Sequence, residues 1–556
     1  MAVYLRLAGT RAVNSDGASQ ALQAWDMLHG NPLLRGWTVS DVSFYTTELP
    51  QYALIELVRG LRADVVDIAA AMTYTLVVLL AALLAKGTAT GWPGLVRVAI
   101  AGGILLAPQL DLGTNVLLSS PDHTGTAVPL LLTWLLIDRA GPQAGGRSRW
   151  WLPVATSLLL CWAQAADSIV LVAGIIPLAV VCTVRAAAAL TGRPARPGGR
   201  AEAAGELAMA GGALAAGWAA SAILRAVTAA GGFTVRPLGT ALGPLNGIVR
   251  HNLPLAARCL LVLFGAESGG PSTAEEPAFL LLHLAGVGLA VAGVAVAAGR
   301  LARRLPGRGG RDVAGKPGVD KVSQVLLTAI VVNCGAFLVT QRVVDLSSAR
   351  EIAPVLPFAA VLAARQLAPV IGLAVSSAVG PRFGPSRTAE AADSRTAEAA
   401  GLRRLLGRVL ILTGTGYLAG LGVELAAPAA PPQGAQLTAW LSDHQLGGTG
   451  LGGYWQASVV TLTSGGSVAV RPVADSGDGI GPHRGEVNRA WFDPRQSAAR
   501  YLVLTPGTPE YPGYSDGPVA AATWGVPTRI YHVGQYTIWY WPKNLLPALR
   551  PSPAGD

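Results

Sequence analysis

Apolar segments recur along this chain, and the basic residues between them fall in alternate loops. Candidate membrane spans lie near 67–86, 98–112, 126–138, 150–164, 168–186, 205–224, 277–299, 322–340, 352–379 and 408–427. A helix needs about 20 apolar residues to cross a bilayer, and some of these runs are shorter. The segment 352–379 is long and contains Pro354, Pro357 and Pro369. Four loops carry dense positive charge: Arg139 to Arg149, Arg185 to Arg200, Arg300 to Lys321 and Arg382 to Arg408. They hold 20 of the 42 Lys and Arg, which by the positive-inside rule puts them in the cytoplasm. Composition agrees, with 51% hydrophobic and 13% charged residues where soluble domains carry about 25% charged. The net charge of +10 is thus topological and asks for no nucleic acid. Four single cysteines lie in apolar stretches without metal-ligand spacing and read as small core residues.

This orientation sends residues 14–66, 109–125, 225–276 and 341–351, and the tail from 428, outward. The apolar run Leu253–Phe264 is too short to cross and reads as interfacial or re-entrant, because another span there would invert every later loop. Residues 1–13 are also too short to cross, although some 50 outward residues follow them. The expectation is that a first membrane helix is truncated, with "YLRLAG" as its last turns. The duplicated "SRTAEAA" from Ser386 reads as a low-complexity linker.

The outward segments hold the ionisable candidates. In "NSDGASQALQAW" the carboxylate of Asp16 stands just ahead of a helical pattern through Ala21, Leu22, Trp25 and Leu28, read as an interfacial helix anchored by Trp25. A second amphipathic stretch, Glu48–Leu61, repeats the spacing through Tyr52, Ile55 and Val58. "SSPDHTGT" sets Asp122 beside His123, and "QRVVDLSSARE" puts Arg342, Asp345, Arg350 and Glu351 at the outer membrane face.

That order, followed by "SAREIAPVLPFAAVLAAR" (Ser348–Arg365) and a soluble outward tail, resembles the GT-C superfamily of polytopic glycosyltransferases, over roughly residues 10–430. The Ala- and Arg-rich composition is similar to actinobacterial proteins. The resemblance implies a plasma-membrane enzyme that takes sugar from a polyprenyl-phosphate-linked donor and transfers it, with inversion, to a cell-envelope glycan, lipid or protein. By position it makes Asp16 the catalytic base, Asp122 and His123 orienting or metal-binding groups, and Arg350 or Arg342 the lipid-phosphate contact. Many members carry two adjacent acidic residues where this chain has the single one of "NSDG", so use of a divalent cation stays open.

The chemistry stands without the family. Sugar transfer from a lipid phosphate needs a base for the acceptor hydroxyl and stabilisation of the leaving phosphate by Arg, a helix N-terminus or a metal. Each candidate also fits a structural role. Asp16 fits a helix N-cap, "SPDHTG" a turn, and Arg342 and Arg350 lipid head-group anchors. Glu48 and Asp167 fit helix caps.

From Pro428 the sequence turns rich in Gly, Pro and aromatics. "LTAWLSDHQ" suggests a short helix. Ala457–Val473 reads as two strands around a Ser-Gly-Gly turn, and "ARYLVLT" and "RIYHVGQYTIWYW" as further strands. The expectation is a polytopic α-helical membrane protein of about 10–11 membrane helices, residues 1–427, with a small α+β extracytoplasmic domain at 428–556. A secondary transporter is the weaker alternative, because the spans hold almost no midplane charge and show no repeated halves. A non-catalytic scaffold or sensor is the other, and it would tolerate loss of Asp16.

Overall fold

The architecture comes from a computed structural model that describes residues 1–106, 112–140, 150–191, 199–236, 242–267, 276–303, 319–341, 343–377, 434–475, 479–505 and 517–550, with isolated positions between 415 and 426. Each of the first nine apolar segments is largely helical; the tenth, 408–427, lies mostly outside the described residues. Five helices are long and apolar enough to cross a bilayer: Asp64–Lys86, Leu171–Thr191, Gly199–Ala229, Phe279–Ala302 and Lys321–Val339. Leu346–Ile352 and Val355–Pro369, bent by 59° at the break, make up to a sixth, and Gly91–Leu105 and Trp151–Ala166 are shorter apolar helices. The chain is thus a multi-pass membrane protein.

Small residues let these helices approach closely, as bilayer packing requires. A Cβ on Gly293 would lie 2.5 Å from the Ala363 Cα, so Glu276–Ala302 meets Val355–Ser377 backbone to backbone. At the basic ends of the bundle, Arg365 donates to Asp138 at 2.6 Å, to Asp320 at 3.1 Å and to the Leu84 carbonyl at 2.8 Å. One guanidinium thereby ties its own helix, Val355–Ser377, to the ends of three others. Glu206 likewise joins Arg185 and Lys321.

The opposite ends carry the segments expected to face outward. Asn14, not Asp16, caps helix Ser15–Leu28, its side chain accepting from the Gly17 N–H. Asp16 is left free for tertiary contacts. The interfacial expectation for this helix is corrected: Ser15 and Gly17–Ala24 are buried, because it is held between Glu48–Arg59, Asp64–Lys86 and a C-terminal helix. The Trp25 ring packs at a tilt against that of His29, centroids 4.1 Å apart. Helix Glu48–Arg59 is the one with an outward apolar ridge, Leu54, Leu57 and Val58, the last 85% exposed, so Val58 leaves the expected buried stripe. Leu253–Leu263 is a short helix at this same end. The preceding Asn252 amide donates to the Leu338 and Thr340 carbonyls, both at 2.8 Å.

In the C-terminal region six strands run in the order 480–482, 470–475, 449–452, 499–504, 536–540, 529–533, and 449–452 is parallel to both its neighbours. The strand expected over Ala457–Thr463 is instead part of helix Tyr454–Thr463. Parallel neighbours need a crossover, and this helix joins 449–452 to 470–475. Its β-branched run reads as a strand because short apolar runs do not distinguish the two. A second sheet is stitched from distant segments. Trp37–Val39 pairs in parallel with Thr234–Val235 and antiparallel with Val487–Asn488, and Trp37 meets Trp491 edge to face at 4.8 Å.

Replacing Gly293 by Val should force the two helices apart and cost about 1–3 kcal/mol, read as a lower unfolding temperature of the purified protein in detergent.

Candidate active site

Asp16 lies in the first turn of helix Ser15–Leu28, and Gln20 follows one turn on, so both project from one side. Arg350 sits on the 3-10 turn Leu346–Ile352 and donates from Nη1 to Asp16 Oδ2 at 2.7 Å. Tyr454 donates its hydroxyl to Asp16 Oδ1 at 2.5 Å, and the same oxygen is 2.7 Å from Glu486 Oε2. Gln20 donates to Asp122 Oδ1 at 2.8 Å and Ser120 to Oδ2 at 2.6 Å. Asp16, Arg350 and Asp122 thus form one network around the start of the first-loop helix.

His123 stands beside it. Helix Asp122–Arg139 extends the expected span at 126–138 by a turn at its N-terminal end, and that turn carries Asp122 and His123. The ring Nδ1 is 2.7 Å from Asp167 Oδ2, and Nε2 is 3.8 Å from Glu351 Oε1. Thr126 also donates to Asp167, and Asp167 accepts from the Ile169 N–H at 2.9 Å. Burial opposes a charged ring, yet the Asp167 and Glu351 carboxylates push the His123 pKa up to about 10. Burial also opposes the Asp167 charge, but His123, Thr126 and Ile169 hold its pKa below the usual carboxylate range. Asp122 is shifted the other way, raised by burial and by the nearby Asp16 charge. Glu48 lies over Gly125, where a Cβ would collide with its carboxylate. Burial, reinforced by Asp167 and Asp122, raises Glu48 to about 8.

The backbone is strained around these groups. Of five non-glycine residues with positive φ among those described, Phe44, Asp122 and Glu486 line this region; the Phe44 ring is 5.9 Å from that of His123. Such conformations cost roughly 1–3 kcal/mol and cluster at functional sites.

The structure brings Asp16, Asp122, His123 and Arg350 together; Arg342 lies outside the described residues. The Asp167 cap reading holds in part, since it accepts from Ile169 N–H, but its main partner is His123. Sequence reasoning did not assign Gln20, Glu351, Tyr454 or Glu486 to the site. The helical spacing from Asp16 and the adjacency to Arg350 pointed to the first two. Tyr454, 438 residues from Asp16, left no local signal.

The donor set does not fit a resident divalent cation. Among the described residues no three His, Cys, Asp or Glu converge as metal ligands. The Asp16 oxygens face a guanidinium and a phenol, and those of Asp122 an amide and a hydroxyl. The positive charges facing these carboxylates are Arg350 and protonated His123.

The multi-pass helical bundle, roofed by a first-loop helix and a C-terminal mixed sheet, has a GT-C-like fold. The structure of ArnT from Cupriavidus metallidurans bound to undecaprenyl phosphate matches 97% of this chain and 95% of its own with a TM-score of 0.51 at 13% identity. Archaeal oligosaccharyltransferase AglB from Archaeoglobus fulgidus, in complex with an inhibitory peptide and a dolichol-phosphate, matches 88% of this chain and 65% of its own at 13% identity, with a TM-score of 0.44. At such identities the likeness is one of fold. No family model and no curated protein matches the sequence.

The His123 pKa in the fold, about 10 against an ordinary 6.5, fixes a sign. Its protonation stabilises the fold fully below about pH 6.5, and that contribution is lost as pH rises through about 10. Asp167→Ala leaves a buried charge without its closest partner, a loss of about 3–5 kcal/mol. Urea unfolding in detergent between pH 7 and 10.5 should show a weaker variant and a shallower alkaline decline than the wild type.

Proposed function

We propose that this protein transfers a sugar from a polyprenyl-phosphate-linked donor to a cell-envelope acceptor on the outer face of the plasma membrane, with inversion. The observation that carries the reading is the Asp16–Arg350 pair, a carboxylate and a guanidinium held 2.7 Å apart at the head of a GT-C bundle. Its side chains keep 18% and 37% of their surface exposed, so a ligand can reach both. Arg139, Arg185, Arg300 and Lys321 lie at the other ends of the helices, which supports an outward-facing site and an extracytoplasmic region 428–556. The exposed Leu54–Leu57–Val58 ridge supports a site level with the lipid surface. Undecaprenyl phosphate bound to ArnT supports a polyprenyl phosphate as the leaving group.

In this reading the donor phosphate draws Arg350 into a charge-assisted, two-pronged contact and so releases one oxygen of Asp16. The acceptor hydroxyl attacks the anomeric carbon from the face opposite the phosphate. Its proton passes to the freed Asp16 oxygen, the carbon–oxygen bond to phosphate breaks, and the electron pair leaves on the lipid phosphate beside Arg350. Asp122, aimed by Gln20 and Ser120, and His123, locked by Asp167, orient the sugar or acceptor hydroxyls. The substrates stay general: an envelope glycan, lipid or protein as acceptor, with membrane lipids around the donor tail.

Asp16→Asn should lower transfer by about 10²–10⁴ in membranes supplied with polyprenyl-phosphosugars, at unchanged expression and unfolding temperature. Arg350→Gln should lower it by about 10²–10³. Wild-type rates in Asp16→Asn would remove the carboxylate from the mechanism and the reading with it.

A further inference from the structure

Tyr454 and Glu486 belong to the C-terminal region, yet both reach the first-loop helix. The Tyr454 hydroxyl stands 2.5 Å from Asp16 Oδ1 and 2.7 Å from Glu486 Oε2. A phenol has one hydrogen to give. For both short contacts to be hydrogen bonds, one carboxyl must carry a proton and donate to the phenol oxygen. Arg350 balances the charge on Asp16; among the described residues Glu486 has no ion-pair partner within 4 Å and is buried. The proton therefore sits on Glu486.

We infer that the C-terminal region supplies two positioning residues: Glu486, as a neutral acid, donates to the Tyr454 oxygen, and Tyr454 thereby turns its single hydrogen onto Asp16 and aims that carboxylate. The inference rests on the reading of Asp16 as base and deepens it.

Further features fit. Glu486 adopts φ +56, a conformation that costs a non-glycine residue roughly 1–2 kcal/mol. The pairing of Val487–Asn488 with Trp37–Thr38 fixes the chain just beyond it, and the Ser19 hydroxyl donates to its carbonyl at 3.4 Å. Tyr454 is fixed from the other side, where Ser15 donates to its carbonyl and His483 stacks on its ring at 4.5 Å. Burial, with the Asp16 and Asp122 charges, raises the Glu486 pKa well above the ordinary carboxyl range, as a proton-holding role requires. The charged or titratable groups facing this pair are Asp16 from the first-loop helix, Asp122 from Asp122–Arg139, Arg350 from the 3-10 turn and His483 from its own segment.

The consequence is an alkaline limit. When Glu486 ionises, two carboxylates compete for one phenol hydrogen, and Asp16 loses its fixed aim. The test uses the full chain in lipid nanodiscs, with Glu486→Gln, Glu486→Ala and Tyr454→Phe. Infrared difference spectra at pH 7, wild type minus Glu486→Gln, should contain the carbonyl band of a protonated carboxylic acid; its absence overturns the inference. In the transfer assay, Glu486→Ala and Tyr454→Phe should lower kcat roughly 10- to 100-fold with donor KM little changed. Glu486→Gln, whose amide can still donate, should recover most of the loss and no longer decline at alkaline pH as the wild type does. An active wild type whose three variants share its kcat and pH profile overturns the inference alone. A wild type without transfer refutes the function proposed above, while the infrared result still decides where the proton sits.

Discussion

The contact on which the cluster depends joins the Asp16 carboxylate, at the head of the bundle, to the Arg350 guanidinium 2.7 Å away. The two residues lie 334 positions apart, so their contact fixes how helix Ser15–Leu28 sits on the late 3-10 turn. Both side chains keep part of their surface exposed, so the pair contributes to positioning far more than to stability. Gln20, Ser120 and Asp122 extend the same arrangement sideways, and His123 between Asp167 and Glu351 repeats it with the signs exchanged.

These contacts explain where the backbone is distorted. Phe44, Asp122 and Glu486 are held at positive φ although none is glycine, and each is pinned by a neighbour outside its own element. The Phe44 N–H donates to the Ala166 carbonyl at 2.9 Å, Asp122 is bonded to Gln20, and Glu486 adjoins the strand 487–488. Strain of this kind persists because packing and hydrogen bonds over-determine the conformation.

Much of this was legible in the sequence, and the pattern of success is physical. Apolar runs of span length announce helices because a bilayer admits no unsatisfied backbone, so the bundle could be read off composition. Asp16, Asp122, His123 and Arg350 were legible as ionisable groups in outward segments. What failed depended on contacts between distant segments. Asn14 took the cap that Asp16 also fitted. Helix Ser15–Leu28 looked interfacial because its apolar spacing suits lipid and protein equally. Ala457–Thr463 looked like a strand because its β-branched residues hide a crossover that only the parallel pairing reveals. Tyr454 and Glu486 carry nothing in their flanking residues that points to a carboxylate more than 430 positions away.

The sheet formed by residues 37–39, 234–235 and 487–488 has a bearing on biogenesis. Strands this short have no standing alone, and each waits for partners made much earlier or later by the ribosome. Asp16 is therefore made long before Tyr454 and Glu486, the residues that close around it. Through most of synthesis the chain lacks the third strand of this sheet, and the cluster is complete only once residue 488 has been added.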